Sequence, residues 1–111
     1  MSDVSYDPGW LRHRVSVEQK AATTDGAGGE TITWSNLVDL WARIEPVAAD
    51  EKAVAGHVTG IVTHTITLRW RDDITGAMRM TYHGRTFRIL AVYDPDETQR
   101  YLVAETAEET P

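Results

Sequence analysis

The feature that most constrains this chain is a two-residue alternation of apolar and polar side chains, repeated along most of its length. A β-strand sends successive side chains to opposite faces, so this period marks strands lying half-buried on a core. From Leu11 to Lys20, Leu11, His13, Val15 and Val17 share one face, and Arg12, Arg14, Ser16 and Glu18 share the other. A return segment opens at Thr31-Ile32-Thr33-Trp34, and in it Val38, Leu40, Ala42 and Ile44 alternate with Asp39, Trp41, Arg43 and Glu45. Between Ile61 and Arg71, Val62, His64, Ile66, Leu68 and Trp70 alternate with Thr63, Thr65, Thr67, Arg69 and Arg71. Met78, Met80 and Tyr82 line a fourth strand. Thr86 to Tyr93 forms a fifth, with Phe87, Ile89, Ala91 and Tyr93 on one face and Leu90 and Val92 on the other, and Tyr101 to Thr106 closes the series.

Turn chemistry separates these runs. Asp25-Gly26 suits a hairpin tip, Asp72 to Gly76 and Asp94-Pro95-Asp96-Glu97 suit longer turns, and Gly84 supplies positive φ beside His83 or Arg85. Pro46 has no amide proton to give a ladder and is expected to end or edge the second strand. Five or six short antiparallel strands in 111 residues leave too much bare edge as an open sheet. The expected fold is all-β, a small antiparallel β-barrel or sandwich of five to six strands over residues 11–106. Residues 1–10, set off by Asp7-Pro8-Gly9, form an N-terminal arm, and 107–111 a C-terminal tail.

One segment breaks the alternation. Val47 to Gly60 is rich in small and charged residues and reads as a long loop, with a short helix around Asp50 to Ala55. Connections beyond ~12–15 residues are uncommon in compact domains and tend to be functional. Asp50, Glu51, Lys52, Val54, His57 and Val58 are therefore the candidate partner contacts in this loop.

Chemistry is hard to find. The chain has no cysteine, so disulfides and thiolate metal sites are excluded, and His13, His57, His64 and His83 show no metal-ligand spacing. No serine lies in a nucleophile elbow. Asp72-Asp73 and Asp94/Asp96 flank turns, where Asp caps backbone amides. Gly26 to Gly29 lacks the lysine and following helix of a phosphate loop. No catalytic residue, cofactor or metal is expected, and the protein is expected not to be an enzyme. No apolar run approaches the ~20 residues that span a bilayer, and the N-terminus lacks the pattern of a signal peptide, so an intracellular origin without membrane contact is expected.

The charges point to protein contacts. The net charge of −6 disfavours tight duplex binding. Nine of the eleven basic residues are arginine, and Arg69, Arg71, Arg79, Arg85 and Arg88 crowd one stretch. Arginine's planar fork suits interfaces, and Trp41, opposite in phase to its apolar neighbours, places a large aromatic on the outer face. These six residues are the candidate interface.

The order of motifs resembles a known family. Leu11-Arg12-His13-Arg14-Val15 opens the domain, and a Gly-containing hairpin, Trp34, and Trp41-Ala42-Arg43-Ile44-Glu45-Pro46 follow. After Glu51 come Thr67-Leu68-Arg69-Trp70-Arg71, the run Met80, Tyr82, Gly84-Arg85, Phe87-Arg88-Ile89, and Tyr101-Leu102-Val103. Over residues 11–105 this is similar to the head–tail joining (head-closure, stopper or connector) proteins of tailed bacteriophages, prophages and gene transfer agents. The resemblance implies a barrel that assembles with copies of itself in a six- or twelve-fold ring below the portal and adaptor. Such a ring continues or closes the DNA channel and docks a tail terminator or tail completion protein, at a particle neck assembled in the bacterial host cytoplasm. The family's long loop, here Val47 to Gly60, projects towards the ring axis or a neighbouring ring and helps retain DNA. DNA passes without sequence-specific binding, as an acidic channel that does not grip phosphate would allow. The resemblance carries over no catalytic residue; Arg69, Arg71 and Gly84 would shape the barrel and its contacts.

Two other functions fit the residues less well. One is a barrel of the OB type binding single-stranded nucleic acid, with those arginines beside Trp70, Tyr82 and Phe87 as stacking platforms. The other is a different tail component, such as a terminator protein.

Overall fold

The computed structural model describes residues 10–24, 26–54 and 57–109, with 49–54 and 57–59 described by their backbone alone. Six strands follow one another: β1 (His13–Thr24), β2 (Glu30–Val54), β3 (His57–Arg69), β4 (Arg79–Tyr82), β5 (Arg85–Tyr93) and β6 (Tyr101–Glu109). All pair antiparallel in the order β1-β2-β3-β6-β5-β4, and the sheet closes into a barrel. The closing seam is short: Ser16 faces Thr81, Val17 faces Met80 and Glu18 faces Arg79.

The alternation in the sequence is what fills the barrel. Val15 and Val17 from β1, Ala42 from β2, Ile66 and Leu68 from β3, and Met80 from β4 are buried with Phe87, Ile89, Leu102 and Ala104 from β5 and β6. Ile74, from the connection between β3 and β4, joins them. Two buried threonines, Thr67 and Thr106, interrupt this apolar interior, and Thr106 donates its hydroxyl to the His64 carbonyl at 2.8 Å. The β4–β5 turn places His83 at φ 49° and Gly84 at φ 80°, the paired positive angles of a two-residue turn whose twist matches the strands.

Four expectations need correction. The segment 47–60 is neither a loop nor a helix: β2 runs through it to Val54 and β3 starts at His57, so the described part is a two-stranded ribbon. In that ribbon Asp50 faces Val62, Glu51 faces Ile61, Lys52 faces Gly60 and Val54 faces His57. Its alternation is hidden because the pairing breaks twice: β2 carries two extra residues between Pro46 and Asp50, and β3 carries one between Gly60 and Val58, opposite the Lys52–Ala53 step. Pro46 accordingly does not end β2; it sits opposite His64 at the first of these joints.

In β5 a single extra residue between Ile89 and Ala91 reverses the parity of the residues after it. Leu90 is 8% exposed, Val92 packs on the core, and Tyr93, expected inside, is 47% exposed. Finally, β6 continues to Glu109, with Ala107, Glu108 and Glu109 opposite Arg88, Phe87 and Thr86, so the chain is still laddered where the tail was expected. The expected arm over residues 1–9, the tip residue Asp25 and the last two residues lie outside the described residues.

β1 and β2 also extend past the seam, where Lys20 to Thr24 pair with Trp34 to Glu30. β2 therefore carries a two-stranded ribbon at each end, and the molecule measures 55 × 32 × 27 Å. At the root of the β2–β3 ribbon, Gly60 has φ 153°, and a Cβ there would lie 3.2 Å from a Leu90 methyl and 3.0 Å from the Arg88 guanidinium. The backbone conformation and the close approach of β5 both call for glycine.

Candidate docking surfaces

The structure gathers three of the six expected interface residues into one groove. Trp41, Arg69 and Arg71 line it with Arg14, Val38, Asp39, Leu40 and Trp70, around a volume of about 360 Å³. Its position follows from strand register. Arg14 is the cross-strand partner of Trp41 on the outer face, and its guanidinium lies 5.4 Å from the indole centroid. The β2–β3 ladder ends at Ala42 opposite Leu68, so the next position sets Trp41 beside Arg69, where β3 finishes and the chain turns away. Trp41 is 52% exposed. Asp39 accepts from Ser16 at 2.7 Å and from Asn36 at 2.8 Å, and these hydrogen bonds, Asn36 first, hold its carboxyl below the usual range. Arg71 grips Asp73 with two hydrogen bonds of 2.9 and 2.7 Å.

The other three arginines are engaged in the barrel wall. Arg79 donates to Glu18 at 2.6 Å across the seam and lies 4.2 Å from the Trp34 ring centroid. Arg88 lies against Gly60. Arg85 binds both oxygens of Glu108, at 2.9 and 3.0 Å, and its guanidinium is 3.3 Å from His64 Nε2.

That last contact fixes a protonation state. An arginine only donates, so His64 Nε2 accepts and the proton sits on Nδ1, 2.9 Å from the Thr63 hydroxyl oxygen. Burial, then the Arg85 charge, pushes the imidazole pKa down from 6.5, against the opposing pull of Glu108. The unfolded chain therefore binds a proton that the folded one refuses, and stability is full above 6.5 and falls as pH drops through that value towards the folded pKa. Arg85 holds the Glu108 carboxyl below 4.5, adding a second loss as pH falls beneath that point. Thermal melts across this range are expected to show both losses. His64→Gln, which keeps an acceptor for Arg85, should remove the first and leave the second.

Of the expected loop contacts, Asp50, Glu51, Lys52, Val54, His57 and Val58 have their backbone in the β2–β3 ribbon, apart from the groove residues in sequence. The sequence did not single out Arg14, Asp39 or Trp70 as neighbours of Trp41. The ladder that pairs Thr24 with Glu30 and Glu18 with Asn36, continued without a break, would set Arg14 opposite Leu40. The register shift beside Val17 places it opposite Trp41 instead. Among the described residues no cluster of His, Asp or Glu could hold a metal ion, and no helix is long and apolar enough to cross a membrane. Phe87 is fully buried, which removes it as a stacking platform for bases.

The fold defines a small closed antiparallel β-barrel. The phage head completion protein family model matches residues 6–109, and the chain belongs to that family. It is a structural protein of a phage-type head, assembling with other head and tail proteins in a virion-type particle. The solution structure of protein SF1141 from Shigella flexneri 2a is similar at TM-score 0.73 and 26% identity, covering 95% of this chain and 98% of that one. A chain of the virion of a native gene transfer agent particle is similar at TM-score 0.65 and 27% identity, covering 87% of this chain and 96% of that one. No curated protein matches.

Proposed function

We propose that this protein is a head–tail joining component, forming a ring of copies below the portal and adaptor that continues or closes the DNA channel and docks the tail. The observation that carries this is the β2–β3 ribbon, which leaves the barrel wall with no third strand, among the described residues, beside Glu51 to Val54 or His57 to Ile61. A two-stranded ribbon is marginal in water and gains stability by packing against something else. In a ring, the ribbons of neighbouring copies meet at the axis or reach the next ring. Asp50, Glu51, Lys52, Val54, His57 and Val58 are the contacts assigned to that end, with Trp41, Arg69 and Arg71 assigned to a second partner surface. Arg79, Arg85 and Arg88 support the wall that presents both. The net charge of −6 suits a passage that must not hold DNA by its phosphates.

Cryo-electron microscopy of assembled particles tests the assignment. Density for this barrel as a ring between portal and tail is expected. Density only within the head shell, or further down the tail, overturns it.

A further inference from the structure

The groove beside Trp41 is lined by three arginines, Arg14, Arg69 and Arg71, against one carboxylate, Asp39, and so is net positive. Arg71 is occupied by Asp73, whereas Asp39, held by the neutral Ser16 and Asn36, keeps its charge and is felt by Arg14. Arg14 makes its cation–π contact with Trp41 and, among the described residues, no ion pair; Arg69 has neither ion pair nor hydrogen bond there. The register makes them a row across three strands, Arg14 on β1, Trp41 on β2 and Arg69 on β3. The exposed Trp41 indole stands between the two charges in this row, and the half-buried Val38, Leu40 and Trp70 also line the groove. One side of this groove is a strand edge: from Glu30 to Trp41, β2 pairs with β1 and, among the described residues, with no strand on its other side.

Each of these features selects a property of the occupant. An unpaired edge offers backbone donors and acceptors to an extended chain, two separated guanidiniums match two carboxylates, and the indoles between them match an apolar side chain. We propose that this groove docks an extended acidic segment of a different protein, with an apolar anchor between Trp41 and Trp70 and carboxylates on Arg14 and Arg69. A second copy of this chain is a poor source for that segment. Two copies would each bring a net charge of −6, and five of the seventeen carboxylates, Glu18, Glu45, Asp73, Asp96 and Glu108, are already paired with the chain's own arginines. A nucleic-acid backbone, with a charge at every step, is a poorer match than a segment with two carboxylates, because the groove offers only Arg14 and Arg69 and the chain carries a net charge of −6. The inference deepens the joining role and rests on it only for the occupant being another particle protein.

Fluorescence anisotropy of the full chain with a short labelled peptide of glutamates and threonines around one central leucine is the test. The acidic peptide is expected to bind more tightly than its lysine-for-glutamate counterpart. The double variant Arg14→Ala/Arg69→Ala should weaken it about tenfold, the scale of losing two exposed charge-assisted contacts. Trp41→Ala should weaken it as well. All three side chains are exposed, so unchanged melting of the variants checks that the barrel is intact. Absence of acidic-peptide binding, equal binding of the lysine peptide, or indifference to the double variant overturns the proposal. Tighter binding of labelled oligothymidylate would also overturn it, in favour of a nucleic-acid surface. A shift of the free protein to a groove-dependent oligomer would assign the groove to a second copy instead. Whether the chain sits at the neck is read separately by microscopy, so either idea can fail alone.

Discussion

Phe87→Ala is expected to lower the stability of the barrel by about 3–5 kcal/mol, the usual cost of emptying a phenylalanine site in a core. A domain of this size has only about 5–15 kcal/mol in total, so the variant will be largely unfolded on mild heating or in low denaturant. Phe87 is fully buried, faces Met80 on β4 and meets the His64 ring edge-on at 5.1 Å. No neighbour can refill that volume, because Met80, Ile66, Leu68 and Ile89 are themselves fully buried around the same core. Tyr93→Ala on the same strand should change stability by less than about 0.5 kcal/mol, as exposed surface substitutions do. Urea midpoints of the two variants measure the difference, and a large loss at Tyr93 would mean that the β5 register shift is absent.

Deleting Asp50 to Val58 is expected to have the opposite profile. The ladder between β3 and β6 runs from His64 to Arg69, and the rungs from Ala42 to Pro46 remain on β2, so the barrel keeps its wall. The isolated protein should melt within a few degrees of wild type, by the rule that about 1 kcal/mol moves the midpoint of a small domain roughly 4–8 °C. Particle assembly should fail: heads carrying the shortened protein are expected not to join tails, or to lose packaged DNA. Complementation of a null strain, scored by infectious or transducing titre and by nuclease-sensitive DNA, reads this out. A normal titre would remove the ribbon from the proposed function.

These two sites also mark where the sequence was informative. Period-two alternation placed Val15, Val17, Ala42, Ile66, Leu68, Met80, Phe87 and Ile89 inside, because a side chain's face depends only on its parity along an unbroken strand. It misplaced Tyr93 because a single extra residue reverses parity, and it hid the ribbon because the pairing there breaks twice; no residue type announces a bulge reliably. Pro46 was read as a stop; the ladder tolerates it at a joint where register is already broken. For the candidate surfaces, composition flagged Trp41, Arg69 and Arg71 but could not tell them from Arg79 and Arg85. What separates Arg69 from those two is a partner: Glu18 and Glu108 neutralise Arg79 and Arg85 from strands distant in sequence, while Arg71 takes its neighbour Asp73. The row Arg14–Trp41–Arg69 spans three strands, and only pairing reveals it.

β2, twenty-five residues long, belongs to both ribbons and to the barrel between them. It therefore works as a tie rod. Tension along it from either tip falls on many rungs at once, in shear, instead of peeling them apart one by one. Its points of give are the irregular joints, the shift beside Val17 and those between Pro46 and Asp50 and between Lys52 and Ala53. The groove at Trp41 lies on the stretch between the first two of these joints, so strain arriving from one tip reaches the groove through a single continuous strand.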